Sequence, residues 1–310
     1  MSNTPRTHRR SARRRPVALA VTAAAGLAAS LLAAPAASAA DPAGAASDPV
    51  TVAYVEVNSN ELRTVGDYEL ADGSNAFDIA IIFAANINHD GSGATLHLND
   101  QVTATLEAAD TQIRPLQDKG IKVTLSLLGN HQAAGFANFP SQSAAAAFAD
   151  QVAAVVTQYG LDGVDIDDEW VSYGSGGVPA ANADSARWLV DALDAALPGG
   201  SIISLYDIGA TAQTLKSAPA ATLDKLDYIW NPYYGQYNVP AYPGVGPERL
   251  GAAAIDLTQT SSATAANLAR RTVQDGYGVY VTYNLTAGDR SGYVSSFTRE
   301  LSGQDAVYVG

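Results

Sequence analysis

Residues 161–170 read LDGVDIDDEW, and five of these ten are acidic. Val164 and Ile166 alternate with Asp165 and Asp167. Side chains along a β-strand point to opposite faces in turn. One face of this stretch is therefore apolar and the other carboxylate, with Glu169 continuing the acidic series just past the strand end. Burying unpartnered carboxylates is strongly unfavourable, so the pattern needs a reason. A solvated acidic loop would leave Val164 and Ile166 unexplained. A hard-cation site would suit clustered carboxylates, but the calcium-loop spacing is absent and the chain has only four His. Acid–base chemistry is the third reading, because neighbouring carboxylates drive each other's pKa apart.

Working outward, seven more runs are short and rich in Val, Ile and Tyr. Thr51–Val57, Phe77–Ile87 and Ile121–Gly129 precede the acidic strand Leu161–Asp167. Ser201–Gly209, Leu226–Gly235, Gly251–Thr258 and Gly278–Leu285 follow it. Helical periodicity fills several gaps. Val102, Leu106, Ala109, Ile113 and Leu116 share a face, with a bend expected at Pro115. Ser141 and Gly160 bracket a second helix ending near Tyr159, and Ala186–Leu197 is a third. The later gaps are short and weakly periodic, so some outer helices are expected to be reduced or missing. Eight strands with mostly helical crossovers predict an α/β fold, a single (β/α)8 barrel over residues 51–310. An open doubly wound sheet is the alternative, and the first strand lacks its glycine-rich nucleotide loop.

The chain has 310 residues, 47% hydrophobic and 16% charged, enough for one large core. Its net charge of −13 argues against a nucleic-acid partner. Six of its eighteen Lys and Arg lie between Arg6 and Arg15, ahead of an Ala-rich apolar run and the small residues Ala37–Ala39. That order predicts a secretory signal peptide over residues 1–40, an extracellular product and no membrane attachment after cleavage. The Arg run leaves both general secretory and twin-arginine export open. Residues 41–50 read as a flexible leader. There is no Cys, which excludes thiol chemistry and disulfides. No cofactor and no metal are expected, and the protein is expected to be a monomer.

The stretch DGVDIDDE also fits the D-G-x-D-x-D-x-E pattern of the family 18 glycoside hydrolases, which are barrels. The stretches LLGNHQAAGFANFPSQ, ISLYDIG, WNPYYG and ARRTVQDGYGVYVTYNL resemble the endo-β-N-acetylglucosaminidases of that family, so the likeness spans nearly everything after Thr51. It implies retaining hydrolysis assisted by the substrate's own acetamide, an exception to the two-carboxylate scheme. Glu169 would be the general acid and Asp167 the brace of the oxazolinium. Asp165 would lie deeper and share a proton with Asp167, and Asp162 would be structural. Tyr233 would donate its hydroxyl to the acetamide, and Asn231, two residues earlier, would line the same pocket. Tyr283, Tyr206 and Glu56 end strands eight, five and one and would contact sugar. His131 would touch substrate or fix its loop. Two departures from the family pattern are Asp207, where an amide is expected, and Trp170, where tyrosine is. The implied substrates are N-linked glycans of glycoproteins, high-mannose or hybrid, cut between the two core N-acetylglucosamines. A chitinase and a non-catalytic carbohydrate-binding protein are the competing expectations. Retention of Glu169 argues against the second.

Overall fold

A computed structural model describes residues 48–310. The expected signal peptide and most of the leader lie outside the described residues. The leader's last residue, Val50, already belongs to the first strand. Eight barrel strands follow in order: β1 (Val50–Glu56), β2 (Ile79–His89), β3 (Lys122–Leu128), β4 (Gly163–Asp167), β5 (Ile202–Tyr206), β6 (Tyr228–Trp230), β7 (Ala253–Asp256) and β8 (Val279–Tyr283). β1 through β6 pair in parallel, each with the next, and β8 pairs in parallel with both β1 and β7.

The ring closes through a split seventh strand. Leu250–Gly251 pairs with β6, and after Ala252 the same stretch continues as β7 against β8. A Cβ at Gly251 would meet Trp230 at 2.8 Å and Val279 at 3.3 Å. Only glycine lets the chain pass between those two strands here. The expected continuous strand Gly251–Thr258 is thus corrected to two short pieces. The expected run Leu226–Gly235 shrinks to Tyr228–Trp230, for a reason that lies in Asn231 and is given below. Antiparallel additions, Ala94–His97 on β2 and Gln236–Tyr237 on β7, make the sheet mixed.

Outer helices cover the ring unevenly. The expected single helix after β2 is three pieces, α1 (Asp100–Glu107), α2 (Ala109–Gln112) and α3 (Arg114–Asp118). The breaks fall at Ala108 and Ile113, while Pro115 sits in the first turn of α3, where its missing N–H is not needed. Val102, Leu106, Ile113 and Leu116 are buried as the periodicity requires. α4 (Gln142–Tyr159) is capped by Ser141, whose hydroxyl accepts from the Ala144 N–H, and ends at the left-handed Gly160. α5 (Ser185–Ala196) precedes β5. Only α6 (Gly209–Leu215) and the four-residue α7 (Ala220–Leu223) link β5 to β6. Between β6 and β7 there is just a 3-10 turn, Pro247–Arg249, before α8 (Ser262–Asp275) and α9 (Ser291–Leu301) restore full cover.

The core has two parts. A large apolar layer lies between strands and helices, and a smaller one fills the barrel with Val52, Tyr54, Ile79, Ile81, Trp230 and Val281. Alternation sorts β1 between them, Val52 and Tyr54 inward, Ala53 and Val55 outward. Gly163 starts β4 where a Cβ would meet the Ile202 carbonyl at 2.1 Å.

Candidate active site

β4 obeys the expected alternation. Val164 and Ile166 join the outer layer, while Asp165 and Asp167 enter the barrel. Asp165 is completely buried. Its Oδ1 accepts from the Ser204 hydroxyl at 2.7 Å, and its Oδ2 from Tyr54 at 2.8 Å and Ser126 at 3.1 Å. The Trp230 indole N–H donates to Tyr54 in turn, at 2.9 Å. Burial pushes the Asp165 carboxyl up to about 6, against the opposing pull of the Ser204, Tyr54 and Ser126 hydrogen bonds.

Asp167, two residues on, is equally inaccessible at 1% exposure, yet its Oδ1 finds no hydrogen-bond partner among the described residues. Burial first, then the charges of Glu169, Asp165 and Asp168, raise its carboxyl well above the ordinary range. Burial also raises Glu169. Both side chains line a cleft of about 370 Å³ at the C-terminal mouth of the barrel, the end where barrel chemistry sits. Asp165 and Asp167 make no hydrogen bond to one another, so the expected shared proton is corrected. Three hydroxyls already occupy Asp165, and it acts on Asp167 through its charge.

Asp168 faces the other way and was not anticipated. Its carboxylate is buried and accepts from the Tyr173 hydroxyl at 2.5 Å and the Thr211 N–H at 2.7 Å. Gly209, at φ +76°, packs so close that a Cβ would meet the Asp168 carbonyl at 2.1 Å. These contacts clamp the backbone between Asp167 and Glu169 to the start of α6. Asp162 is structural as expected, taking hydrogen bonds from Gln117, Lys122 and the Val123 N–H.

The β6 end corrects two assignments. Asn231 is buried, and its amide is fully used by backbone. Its Oδ1 accepts from the Tyr233 N–H at 2.9 Å, and its Nδ2 donates to the Gln236 and Ala252 carbonyls at 3.0 and 3.1 Å. It therefore does not line the cleft. That side-chain turn also ends the strand, so the two-residue alternation stops at Trp230. Tyr233 is consequently 49% exposed and outside the cleft, and Tyr234 lines it instead. Tyr206 donates its hydroxyl proton to the Tyr234 oxygen, which leaves the Tyr234 proton free for an acceptor in the cleft. Tyr234 also stacks on Tyr283, with ring centroids 5.0 Å apart. Tyr283 and Glu56 both line the cleft as expected, whereas Tyr206 lies beneath, supporting Tyr234.

His131 is exposed and absent from the cleft wall. Its N–H donates to the Trp170 carbonyl at 2.7 Å, and its ring packs on Trp170 at 5.4 Å between centroids. Both residues have left-handed backbone, φ +51° and +62°. Of its two expected roles the structure places His131 in the loop-fixing one, against Trp170, which is 56% exposed on the cleft rim. Asp207 turns away from Asp167 and is held by the Tyr242 hydroxyl at 2.7 Å and Lys216 at 3.1 Å. The remaining wall was not anticipated: Asn58, Phe83, Ala84, Asn86, Asn99 and Leu128. Asn86 had a visible signal, since it alternates with the buried Ala85 and Ile87 as the acids of β4 alternate with Val164 and Ile166.

A barrel with carboxylates stacked along β4 toward its C-terminal mouth holds an acid–base site of the kind that glycoside hydrolases use, and comparison with known proteins gives that class. The sequence profile described as "Glycosyl hydrolases family 18" matches residues 50–242, and the chain belongs to that family. It is 58% identical over 262 residues to an endo-beta-N-acetylglucosaminidase of Flavobacterium sp. (strain SK1022), covering 84% of this chain and 83% of that protein. It is 31% identical to endo-beta-N-acetylglucosaminidase F1 of Elizabethkingia meningoseptica, over 82% of this chain and 78% of that one. Among solved structures, Bacteroides thetaiotamicron EndoBT-3987 with Man5GlcNAc product superposes with a TM-score of 0.73 at 25% identity. That match covers 85% of this chain and 63% of the other.

Proposed function

We propose that this glycoside hydrolase is an endo-β-N-acetylglucosaminidase that cuts between the two core N-acetylglucosamines of N-linked glycans. The observation carrying the reading is the contrast inside β4. Asp165 has every acceptor filled, while Asp167 keeps a buried, unpartnered oxygen in the same cleft as Glu169. The relatives named for this activity support the choice of bond, and the Man5GlcNAc product of EndoBT-3987 supports a high-mannose preference.

In this scheme burial, which raises the Glu169 carboxyl, favours a proton on Glu169. Glu169 gives it to the glycosidic oxygen as the C1–O bond breaks, and the acetamide carbonyl oxygen attacks C1 to form an oxazolinium. Asp167 accepts the acetamide N–H on its free oxygen, and the positive charge that develops beside it favours the ionised carboxylate that burial alone disfavours, while the Tyr234 hydroxyl donates to the acetamide oxygen. Water then loses a proton to Glu169 and attacks C1, restoring the acetamide with retained configuration. Preorganised charge in a site shielded from water supplies most of the stabilisation.

A high-mannose glycoprotein and colloidal chitin would be digested side by side, with products read by mass spectrometry. The expected result is a free glycan ending in one N-acetylglucosamine and a protein keeping one on each asparagine. Release of chitin oligosaccharides with the glycoprotein intact would make it a chitinase. A sugar ester trapped on Asp167 would overturn substrate assistance. We also propose that residues 1–40 direct export and that residues 51–310 act outside the cell as a monomer. N-terminal sequencing and size-exclusion chromatography of the exported protein test this.

A further inference from the structure

Glu169 stands past Asp167, the last residue of β4 to pair, which meets Leu128 of β3. On the other edge of β4 the pairing with β5 stops earlier, at Ile166 and Leu205. The Glu169 carboxyl takes no hydrogen bond from the described residues, and burial is the cause of its raised pKa. The aim of that side chain therefore depends on how its backbone is held. A Cβ at Gly129, just after β3, would meet the Glu169 carbonyl at 1.9 Å and the Val171 side chain at 2.6 Å. From the β5 side Gly209 closes on the Asp168 carbonyl. The backbone of Asp168 and Glu169 is thus gripped between the end of β3 and the start of α6.

Asp168 and Tyr173 turn that grip into a tether. One Asp168 oxygen is fixed to the first turn of α6 through the Thr211 N–H, and the other takes the Tyr173 hydroxyl proton. The Tyr173 oxygen in turn accepts from the Ala137 N–H at 3.1 Å, in the loop after β3. Gly135 leaves room for it, since a Cβ there would meet the Tyr173 oxygen at 2.3 Å. That loop is itself fastened to the start of α5. The Asn182 N–H donates to the Ala137 carbonyl, the Ser185 hydroxyl to the Phe136 carbonyl, and the Phe139 N–H to the Ser185 hydroxyl, each at 2.8 Å. Asp168 is buried outside the cleft wall with both oxygens used, so it offers nothing to a substrate. What it does is join the loops after β3, β4 and β5 at the residue before the acid.

We propose that Asp168 and Tyr173 are positioning residues of the reaction, which fix the Glu169 backbone so that its carboxyl meets the glycosidic oxygen. The proposal rests on the endoglycosidase reading and on Glu169 as its general acid. Misplacing a reacting group by about 1 Å costs on the order of 100-fold in rate. A tether one residue from the acid therefore governs protonation of the leaving group without touching the sugar.

The test reads kcat/KM on two substrates. One is a high-mannose glycopeptide, whose sugar leaving group needs a proton. The other is the 4-nitrophenyl glycoside of the same glycan, whose phenolate leaves without one. Because kcat/KM reports events up to bond cleavage, the later work of Glu169 as a base does not enter. Asp168→Ala should lose about 100-fold on the glycopeptide and no more than about threefold on the aryl glycoside. Tyr173→Phe, which keeps the ring in its loop, should show the same split at roughly tenfold, and it carries the test if Asp168→Ala does not fold. Asp168→Asn should recover to within about threefold of wild type, since an amide accepts from the Thr211 N–H and donates to the Tyr173 oxygen. In a Glu169→Gln background Asp168→Ala should add less than about threefold, because the group it aims is gone. Equal losses on the two substrates, or none on either, overturn the proposal. So does an Asp168→Asn variant as slow as Asp168→Ala, which would assign the effect to charge. A wild-type protein that cleaves neither substrate overturns the endoglycosidase reading, and the proposal falls with it.

Discussion

The ends of β4 and β6 pose the same question and answer it differently. Each places a buried polar residue at the barrel mouth, and the family likeness implies a site role for both. Asp167 keeps an oxygen without a partner among the described residues. Asn231 has its carbonyl and both amide protons consumed by backbone. A buried polar group left unsatisfied is costly, and it persists where a ligand or a reaction completes it. A satisfied one is scaffold. Hydrogen-bond accounting therefore separates chemistry from architecture where position along a strand does not.

Breaking the β4 side should have the largest effect. Glu169→Gln keeps the shape and removes the proton, so kcat should fall by about 100- to 10,000-fold with folding intact. Near-normal turnover would remove Glu169 from the chemistry and erase the contrast.

Asp165→Asn probes the charged floor of the same site. A free aspartate ionises near pH ~3.9, whereas folded Asp165 does so at about 6. Between those values the folded state binds more protons than the unfolded one. The stability this group contributes is therefore complete below about pH 4 and lost as pH rises through 6, by up to about 3 kcal/mol. Denaturation midpoints across that window should fall in the wild type and flatten in the variant. Parallel curves would show that Asp165 does not titrate there.

On the β6 side, Asn231→Ala should cost about 2 kcal/mol of stability by freeing buried backbone groups, while kcat of the folded fraction stays within a few-fold. Loss of turnover at unchanged stability would return Asn231 to the site. The smallest effect sharpens the tyrosine pair. Tyr234→Phe should lower kcat about tenfold by removing one donor to the acetamide, and Tyr233→Phe should leave kcat alone. The opposite order would restore the alternation that the Asn231 turn interrupts.

Strand alternation carried most of what was legible in the chain. Val164 and Ile166 against Asp165 and Asp167 gave the inside and outside of β4, and similar runs gave all eight strands and the thin helical cover near β6. What the residues concealed depends on side chains that bond to backbone. Asn231 shortens β6 and rotates Tyr233 out of the cleft, and nothing in WNPYYG distinguishes its two tyrosines. The split at Ala252 depends on Gly251 meeting two strands that are distant in sequence. Asp168 was hidden among its acidic neighbours, because its partners, Tyr173 and Thr211, lie outside that stretch.

The split seventh strand also bears on how the chain reaches this fold. Until Leu250–Asp256 is seated, β6 on one side and β8 on the other present unpaired edges, open to pairing with other chains. The β1–β8 seam joins Val50 to Val279, so it cannot form before nearly the whole chain is available. Closures between such distant partners are slow, because loop entropy is lost before the contacts form. The two-residue segment Leu250–Gly251 thus acts as the clasp of the ring. A substitution that hinders it, such as Gly251→Val, should appear first as slow refolding and aggregation, before any change in the mature enzyme's chemistry.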